Sequence, residues 1–399
     1  MRAAPLIAAL CLAETLSMLS FATFPALLPG FMREWQLSGL EAGWLNGLFS
    51  AGYMLAVPVL TALTDRIDAR RIYLASALLT LLATLAFALL AHDFWSAAPL
   101  RLLAGAGLAG TYMPGLKALT DRLPESAQPR AVSFYTASFA VGSSASYLFA
   151  GMLDAAFGWR WAFALTTLGI ALGLIIAAIV LRPVPPGEER PETGLLDFRP
   201  VLANRPALGY ILAYAAHSWE IFGYRAWLVA FLAFALSQQP ASPTAFWSIT
   251  AIAAGLNLIG MPASILGNEA ALRFGRRRTV CVIMWACALL ALGVGHASGL
   301  PFPLVVALMA LYGALIMADS SAITSGTIAH AMPRQKGATM AVHSLAGFGF
   351  AFLGSLLPGL TLDLAGGTES PTAWGVAFAT IGAAALVAPL ALLALTRRA

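Results

Sequence analysis

Long apolar runs, separated by short polar segments, cover most of the chain. Each run approaches or exceeds the roughly 20 residues that a helix needs to cross a bilayer core of about 30 Å. The runs therefore predict twelve membrane-spanning helices. They are 5–32, 41–63, 72–91, 96–119, 131–153, 160–181, 206–236, 244–266, 279–297, 302–328, 336–362 and 372–396.

One polar segment, residues 182–205, is much longer than the others. It is rich in proline and charge and cannot span a bilayer, which is typical of a connecting loop. Six spans lie on each side of it, in residues 1–181 and 206–399. The sequence predicts an all-α integral membrane protein with two pseudo-symmetric six-helix bundles joined by this linker.

Composition agrees with a membrane protein and excludes a sizeable soluble domain. Hydrophobic residues make up 60% of the chain and charged residues 10%, whereas soluble domains carry roughly a quarter charged residues. The three cysteines, Cys11, Cys281 and Cys287, lie in apolar runs without metal-ligand spacing, so we expect no metal and no cofactor. Glu14 interrupts the first run and no clean cleavage site follows, which favours a retained helix over a signal peptide.

Basic residues are distributed asymmetrically along the chain. If both termini are cytoplasmic, all but four of the 23 Lys and Arg residues fall in cytoplasmic segments, the linker included. The exceptions are Arg33 and Arg160 in outer loops and Arg101 and Arg225 within spans. We therefore expect a multi-pass protein of the bacterial inner (plasma) membrane with both termini cytoplasmic. Because the charges are spread over loops on one face, they do not indicate nucleic-acid binding.

Two basic stretches occupy equivalent places in the two halves. "ALTDRIDARRIYL" (62–74) and "LRFGRRRTV" (272–280) both lie between the second and third spans of their half. A second matched pair, "LPESAQPRAVSFY" and "MPRQKGATMAVHS", precedes the fifth and eleventh spans. Several matched positions in register indicate an internal duplication.

These stretches resemble the turn between helices two and three of the major facilitator superfamily, which reads Gly-x-x-x-Asp-Arg-x-Gly-Arg-Arg. In the first copy Thr61, Asp68 and Ala69 replace two glycines and an arginine, and in the second copy Leu272 stands in place of the acid. The matching residues are Asp65, Arg66, Arg70 and Arg71 in the first copy, Arg273, Gly275, Arg276 and Arg277 in the second, and Arg101, Gly105 and Gly107 of the family's Arg-x-x-x-Gly-x-Gly pattern in helix four.

The resemblance implies roles for these residues. An acid at a helix end can pair with arginine and accept from helix N-terminal amides, and so hold a cytoplasmic gate closed. Alternatively, the basic residues only anchor the turns inside. Gly105 and Gly107 are expected to let helices pack closely. The predicted gate residues are Asp65, Arg66, Arg70, Arg71, Glu269, Arg273 and Arg276.

Ionisable residues within the spans are the candidates for substrate or proton handling, because each costs a few kcal/mol to insert. His217, Glu220 and Tyr224 lie at i, i+3 and i+7 and form one polar stripe. The other candidates are Glu14, Asp319 and Arg101, and the superfamily resemblance implies that all six line a central cavity. Alternatives remain open, namely a structural hydrogen bond between His217 and Glu220 and a snorkelling Arg101.

We therefore predict a monomeric secondary active transporter that works by alternating access, with uptake by symport favoured over export. Arg101 would hold a small anionic or zwitterionic solute, and Glu14, Glu220 or Asp319 would take up the proton. The fourth span is loosely similar to cyanate-type small-anion carriers.

One alternative is proton-coupled efflux of drugs or lipophilic cations. Another is a non-transporting assembly factor or sensor. An enzyme is not expected, since no hydrolase or metalloprotease motif stands in any span.

Overall fold

The computed structural model describes residues 3–64, 66–184, 198–239, 247–332 and 335–396. These residues form helices and connecting turns, with no β-strand among them. The first half contains α1 (Ala3–Ser17), α2 (Thr23–Ala26), α3 (Leu28–Glu34), α4 (Gly39–Leu63), α5 (Ala69–Leu90), α6 (Phe94–Thr111), α7 (Met113–Thr120), α8 (Gln128–Phe157) and α9 (Trp159–Val180). The second half contains α10 (Arg199–Ala203), α11 (Arg205–Ser237), α12 (Ile249–Phe274), α13 (Arg276–Val294), α14 (Phe302–Ala318), α15 (Ser320–His330), α16 (Lys336–Leu364) and α17 (Pro371–Leu395).

Each predicted span corresponds to a helix or a broken helix. Within the described ranges, 10 helical segments are long and apolar enough to cross a membrane. The other two spans are α6 with α7, which is interrupted at Tyr112, and α8, which buries Ser143, Ser144 and Ser146. The predicted all-α membrane fold is confirmed.

Three predicted spans are broken. The first was predicted as a continuous helix, but α1 gives way to the 3-10 turn Met18–Ser20 and then to α2 and α3. Pro25 and Pro29 in this region each lack a backbone N–H and cannot continue a helical hydrogen-bond ladder. The fourth and tenth spans break at Tyr112 and at Asp319. Spans in equivalent places of the two halves are therefore both interrupted.

The chain divides into two units. The first unit is Met1–Leu27 with Leu48–Leu196, and the second is Leu28–Gly47 with Asp197–Ala399. Thus α3 and the beginning of α4 belong to the second unit. The domain boundaries 1–181, 182–205 and 206–399 stay a prediction.

Several helices begin where the sequence carries a capping signal. Asp93 accepts a hydrogen bond from the Ser96 N–H at 2.8 Å, and the Ser96 hydroxyl reaches back to the Asp93 N–H, which makes a capping box at α6. Ser248 at α12 and Ser370 at α17 are simpler caps, in which the serine hydroxyl accepts one hydrogen bond from a backbone N–H of the first turn. Gly275, with φ of 92°, separates α12 from α13 in a conformation that side chains rarely adopt.

The second unit is built around α11. In the most apolar stretch of α11, 72% of residues are buried, whereas no other candidate span exceeds 50%. Helices α14, α15, α16 and α17 pack around it. Side chains on most faces of α11 therefore contact protein, so polar residues on α11 lie inside the unit.

Candidate functional site

Glu14 is fully buried on α1 and binds a tyrosine from another helix. The Tyr135 hydroxyl, on α8, lies 3.0 Å from Glu14 Oε2 and 3.0 Å from the Thr111 carbonyl oxygen, so it can donate to either. Glu14 Oε1 has no hydrogen-bond partner among the described residues. Because a buried carboxylate without full hydrogen bonding is costly, Glu14 is suited to hold a proton.

Arg101 is buried on α6 between two aromatic rings. Its guanidinium carbon is 4.9 Å from the centre of the Phe24 ring and 4.8 Å from that of Phe49. Such cation–π contacts stabilise a cation in a poorly solvated interior. With 5% of its surface exposed, Arg101 is enclosed in the first unit rather than extended along a helix surface.

A small cavity inside the first unit lies beside Arg101. Its free volume is about 20 Å³, which is room for a water molecule or two. Arg101 is the charged residue among those that line it, and Glu14 is not part of the lining. The other lining residues are aromatic, hydroxyl-bearing or aliphatic: Phe21, Phe49, Phe87, Phe163, Ser17, Ser20, Thr80, Thr84, Met18, Ala83, Leu100, Ala104 and Leu108.

His217 and Asp319 form a buried acid–base pair in the second unit. Nδ1 of His217, on α11, is 2.7 Å from Oδ1 of Asp319, at the break between α14 and α15. The pair is a neutral ion pair when the imidazole is protonated and carries one negative charge when it is not. It can therefore bind and release one proton.

The other two residues of the predicted α11 stripe bind different partners. Glu220 Oε1 accepts a hydrogen bond of 2.7 Å from the Tyr312 hydroxyl, and the Tyr224 hydroxyl donates to the Met309 carbonyl oxygen at 3.0 Å. Both partners lie on α14. His217 contacts Asp319 and Glu220 contacts Tyr312, so the structure does not use the alternative hydrogen bond between His217 and Glu220.

A second histidine lies close to this stripe. The ring of His343, on α16, stacks on that of Tyr214, on α11, with centroids 3.6 Å apart and planes 15° from parallel. Nδ1 of His343 lies 3.2 Å from the Thr327 hydroxyl on α15. His343 is thus held by two elements next to the pair of His217 and Asp319.

The first basic turn, Arg66 to Arg71, is organised by Asp68. Its carboxylate lies 2.9 and 3.0 Å from Nη2 of Arg122, and it accepts from the N–H groups of Val184 at 2.8 Å and Arg70 at 3.0 Å. Asp68 therefore caps α5 and ties it to the end of α7 and to the residues that follow α9. Arg66 and Arg71 are exposed. The predicted gate acid Asp65 lies outside the described residues.

The surroundings of Asp68 favour its ionised form. Burial of the carboxyl group opposes ionisation, but the hydrogen bonds from Val184, Arg122 and Arg70 outweigh it. They hold the pKa of Asp68 below its usual value. The carboxylate is therefore charged at neutral pH and contributes to stability there.

The second basic turn, Arg273 to Arg277, keeps part of this arrangement. Arg277 donates to the Thr396 carbonyl oxygen at 3.2 Å, just as Arg70 donates to that of Ala178 at 3.1 Å. Each carbonyl lies at or near the end of the last helix of its half. Glu269 is exposed and has no ion pair or hydrogen bond to any other described side chain, and Gly275 stands where the first turn has Asp68. Arg273 stacks on Phe274, and Arg276 begins α13.

Both predicted packing glycines lie at close helix contacts in the first unit. A Cβ at Gly105 would overlap the backbone carbonyl of Phe49, on α4. A Cβ at Gly107 would overlap the Thr80 hydroxyl, on α5. These two positions therefore let α6 approach α4 and α5.

A comparison with family models relates the chain to known proteins. The model of the Major Facilitator Superfamily matches residues 10–344, which is most of the chain. The chain belongs to the major facilitator superfamily. Members of this superfamily are multi-pass membrane transporters, and the long apolar helices of this chain agree with that membership. Among the described residues, no group of three or more His, Cys, Asp or Glu side chains could hold a metal ion.

Two curated superfamily members illustrate the range of its relatives. The chain is 24% identical to the probable sphingolipid transporter spinster homolog 2 of Arabidopsis thaliana over 217 residues, which are 50% of this chain and 45% of that protein. It is 27% identical to the class C tetracycline resistance protein of Escherichia coli over 305 residues, 71% of this chain and 72% of that protein. The chain thus matches about half the length of the spinster relative.

A solved superfamily structure has the same fold. A bacterial homolog of the human lysosomal transporter Spinster, in an inward-facing and unoccupied conformation, superposes with a TM-score of 0.73 and 18% identity. The match covers 99% of this chain and 95% of that chain. At this identity the likeness supports the fold and leaves the substrate open.

Four residues at these sites are not among those predicted from the sequence. Tyr135 and Tyr312 bind the buried acids, and Asp68 and Arg122 hold the first basic turn. Tyr135 and Tyr312 are uncharged at neutral pH, so they do not stand out as ionisable residues within the spans. Asp68 directly precedes an apolar helical run, and that capping signal could have identified it.

Proposed function

We propose that the chain is a proton-coupled secondary transporter of an amphiphilic solute with an anionic or zwitterionic head group. Arg101 binds the head group, and the phenyl rings beside it contact the apolar part. The six-helix halves 1–181 and 206–399 act as the domains that move in alternating access. The protein acts as a monomer in the bacterial inner membrane, with both termini and both basic turns cytoplasmic.

The surroundings of Arg101 are the observation that carries this proposal. A guanidinium presents planar donors that match a carboxylate or phosphate, and here it is buried beside a cavity lined by phenyl rings and hydroxyl groups. Such a lining suits a solute with one charged end and one apolar end. A solute larger than water requires the cavity to widen, which a conformational cycle can supply. The Arabidopsis relative is named a probable sphingolipid transporter, which supports an amphiphilic solute for this chain as well.

Efflux of drugs or lipophilic cations is the second candidate. The similarity to the class C tetracycline resistance protein covers more of both chains than that to the spinster relative. Buried Glu14, Glu220 and Asp319 could bind a cation directly. In that case Arg101 would contribute nothing favourable to substrate binding.

A series of ligands with one chain length separates the two candidates. Purified protein in nanodiscs is heated with hexyl phosphate, hexyl phosphocholine or hexyltrimethylammonium, since a ligand that binds the folded state raises the unfolding temperature. We expect stabilisation by the phosphate or the phosphocholine and a weaker effect of ethyl phosphate, which lacks the chain. Stabilisation by hexyltrimethylammonium alone would favour efflux of cations.

Variants then test the role of Arg101. Loss of a hydrogen-bonded charge costs about 1.5–3 kcal/mol, so Arg101→Ala should weaken hexyl phosphate binding about 10- to 100-fold, and Arg101→Lys less. Arg160→Ala is the matched control. Arg160 also stacks on a ring, 4.4 Å from that of Trp159, but it does not line the cavity. Equal effects of both alanine variants would contradict the proposed site.

A further inference from the structure

One face of α11 carries polar side chains over about the first two thirds of the helix, between residues 210 and 224. Tyr210, Tyr214, His217, Glu220 and Tyr224 follow at intervals of three or four residues, which places them on one side of the helix. Each of the five contacts a polar or aromatic partner on α14, α15 or α16 or at the break between α14 and α15. A buried helix needs no such stripe for packing, and intramembrane polar groups are costly.

The titratable members of this face follow one another in order. Glu220 comes first, bound by Tyr312, and His217 lies one turn away, paired with Asp319. The rings of His217 and His343 both stack on that of Tyr214, with centroids 6.0 and 3.6 Å from it.

The face ends at His330, the last residue of α15. Its ring stacks on that of Tyr210 with centroids 5.2 Å apart, and its Nδ1 lies 2.8 Å from the Gly326 carbonyl oxygen. His330 is partly exposed, whereas His343, His217, Asp319 and Glu220 are buried. One end of the series therefore reaches the surface of the unit.

We propose that this face is the proton path of the transporter, with the pair of His217 and Asp319 as the group that binds the transported proton. His343 and His330 relay the proton between that pair and the end of α15. The proposal rests on the proton-coupled transport proposed above and selects one of its three candidate acids. Among the described residues, these two histidines stack on tyrosine rings and bond to a threonine hydroxyl and a backbone carbonyl oxygen rather than to one another, so water molecules complete the path.

Charge explains why the pair suits this role. With a proton bound, His217 is an imidazolium beside a carboxylate, and the pair is neutral. Release moves the proton from the imidazole nitrogen to water and leaves one buried negative charge, with no other bond made or broken. That state is costly in a closed, poorly solvated site, so release is favoured when the site opens to water. Proton release is thereby tied to a conformational change.

Other groups near the path complete its electrostatic setting. On α11 itself Arg225 is fixed through Nε to Asn257 of α12, at 3.0 Å. The buried thiol of Cys287 lies on α13, and Arg276 and Arg277 of α13 lie towards Tyr210. From α17, Trp374 and Phe378 pack against α11 through Phe231 and add no titratable group.

The first test separates proton coupling from substrate exchange. Proteoliposomes loaded with a pH-sensitive dye are assayed with radiolabelled hexyl phosphate, by counterflow without a pH gradient and by accumulation with one. Asp319→Asn and His217→Gln should keep counterflow within about twofold of wild type and lose accumulation and coupled proton movement, because the proton carrier is gone. His343→Gln should slow accumulation without changing the number of protons moved per solute.

Two further variants, one control and one at the rival acid, complete this test. His92→Gln, at an exposed histidine of the first unit, should behave as wild type. Glu14→Gln removes the rival proton carrier of the first unit, and its loss of coupled proton movement should be smaller than that of Asp319→Asn. If Glu14→Gln alone abolished accumulation, or if Asp319→Asn accumulated normally, the proposed path would be wrong while the transport function stood. Counterflow without any coupled proton movement in the wild type would instead overturn both the path and the proton coupling on which it rests.

A second readout does not depend on any solute. In nanodiscs containing protein labelled with ¹⁵N-histidine, the His217 signal is assigned by its loss in His217→Gln. We expect it to titrate in the wild type with a midpoint that Asp319→Asn displaces and His92→Gln does not. A His217 signal that ignores pH, or that ignores Asp319, would overturn the proposal even if none of the hexyl ligands were transported.

Discussion

Removal of the Asp68 carboxylate should destabilise the first unit measurably. The carboxylate caps α5 and pairs with Arg122, and both side chains are at least 90% buried, with 10% and 7% exposed. A cap contributes about 1 kcal/mol and hydrogen bonds to a charged group about 1.5–3 kcal/mol. Because these terms are not additive and the pair lies near the surface, we expect Asp68→Ala to lower the free energy of unfolding by about 2–4 kcal/mol. Asp68→Asn, which keeps a capping side chain, should cost about 1–2 kcal/mol.

The assay is equilibrium unfolding in mixed micelles, followed by tryptophan fluorescence. Asp121→Asn is the matched control, because Asp121 pairs with Lys117 at 3.1 Å but both side chains are over a third exposed. Such a pair contributes at most about 0.5 kcal/mol. A double-mutant cycle with Arg122→Gln should recover a coupling of about 1–2 kcal/mol between Asp68 and Arg122.

The same measurement across pH checks the sign of the electrostatic contribution. The pKa of Asp68 is lower in the folded protein than its usual value, so its contribution is complete above about pH 4 and is lost as the pH falls through the folded-state pKa. The difference between wild type and Asp68→Asn should therefore shrink in acid. An Asp68→Asn cost no larger than that of Asp121→Asn at neutral pH, or a difference that grows in acid, would refute this role of the carboxylate.

Two further predictions concern packing and buried hydrogen bonds. Gly105→Ala should lower the unfolding temperature, because its Cβ overlaps the Phe49 carbonyl, at a cost of about 1–3 kcal/mol. Gly255→Ala, at an open helical position with nothing within 4 Å, should raise it through a gain of up to about 1 kcal/mol, and the opposite ranking would show that close packing at Gly105 does not matter. Tyr135→Phe should cost about 1–3 kcal/mol because Glu14 loses its hydrogen bond, and an equal cost in a Glu14→Leu background, which has no acceptor, would disprove that cause.

Local sequence determined the spans and many of their ends. A bilayer offers no hydrogen-bond partners, so a long apolar run forms a helix wherever it lies in the chain. That is why each of the twelve runs corresponds to a helix or a broken helix in the structure. Capping residues such as Ser248 and Ser370 act on the next few backbone amides and can be recognised without knowing the fold.

Motif comparison also identified the duplicated basic turns, but not their contacts. Arg70 and Arg277 occupy related places in the two turns, and both reach a carbonyl oxygen of the last helix of their half. The sequence singled out Asp65 as the acid of the first turn, whereas Asp68 holds the contacts that the structure describes. Asp68 could be found as a cap, but its bond to Arg122 depends on where α7 ends in space.

Tertiary structure alone decided the partners of the buried polar residues. The sequence placed His217 and Glu220 three residues apart on one helix, a spacing at which they could have bonded to each other. Instead His217 pairs with Asp319, and Glu220 accepts a hydrogen bond from Tyr312. The rotation and register of α14 and α15 against α11 bring these side chains together. Rotation and register result from packing along whole helices, and no short stretch of sequence contains that information.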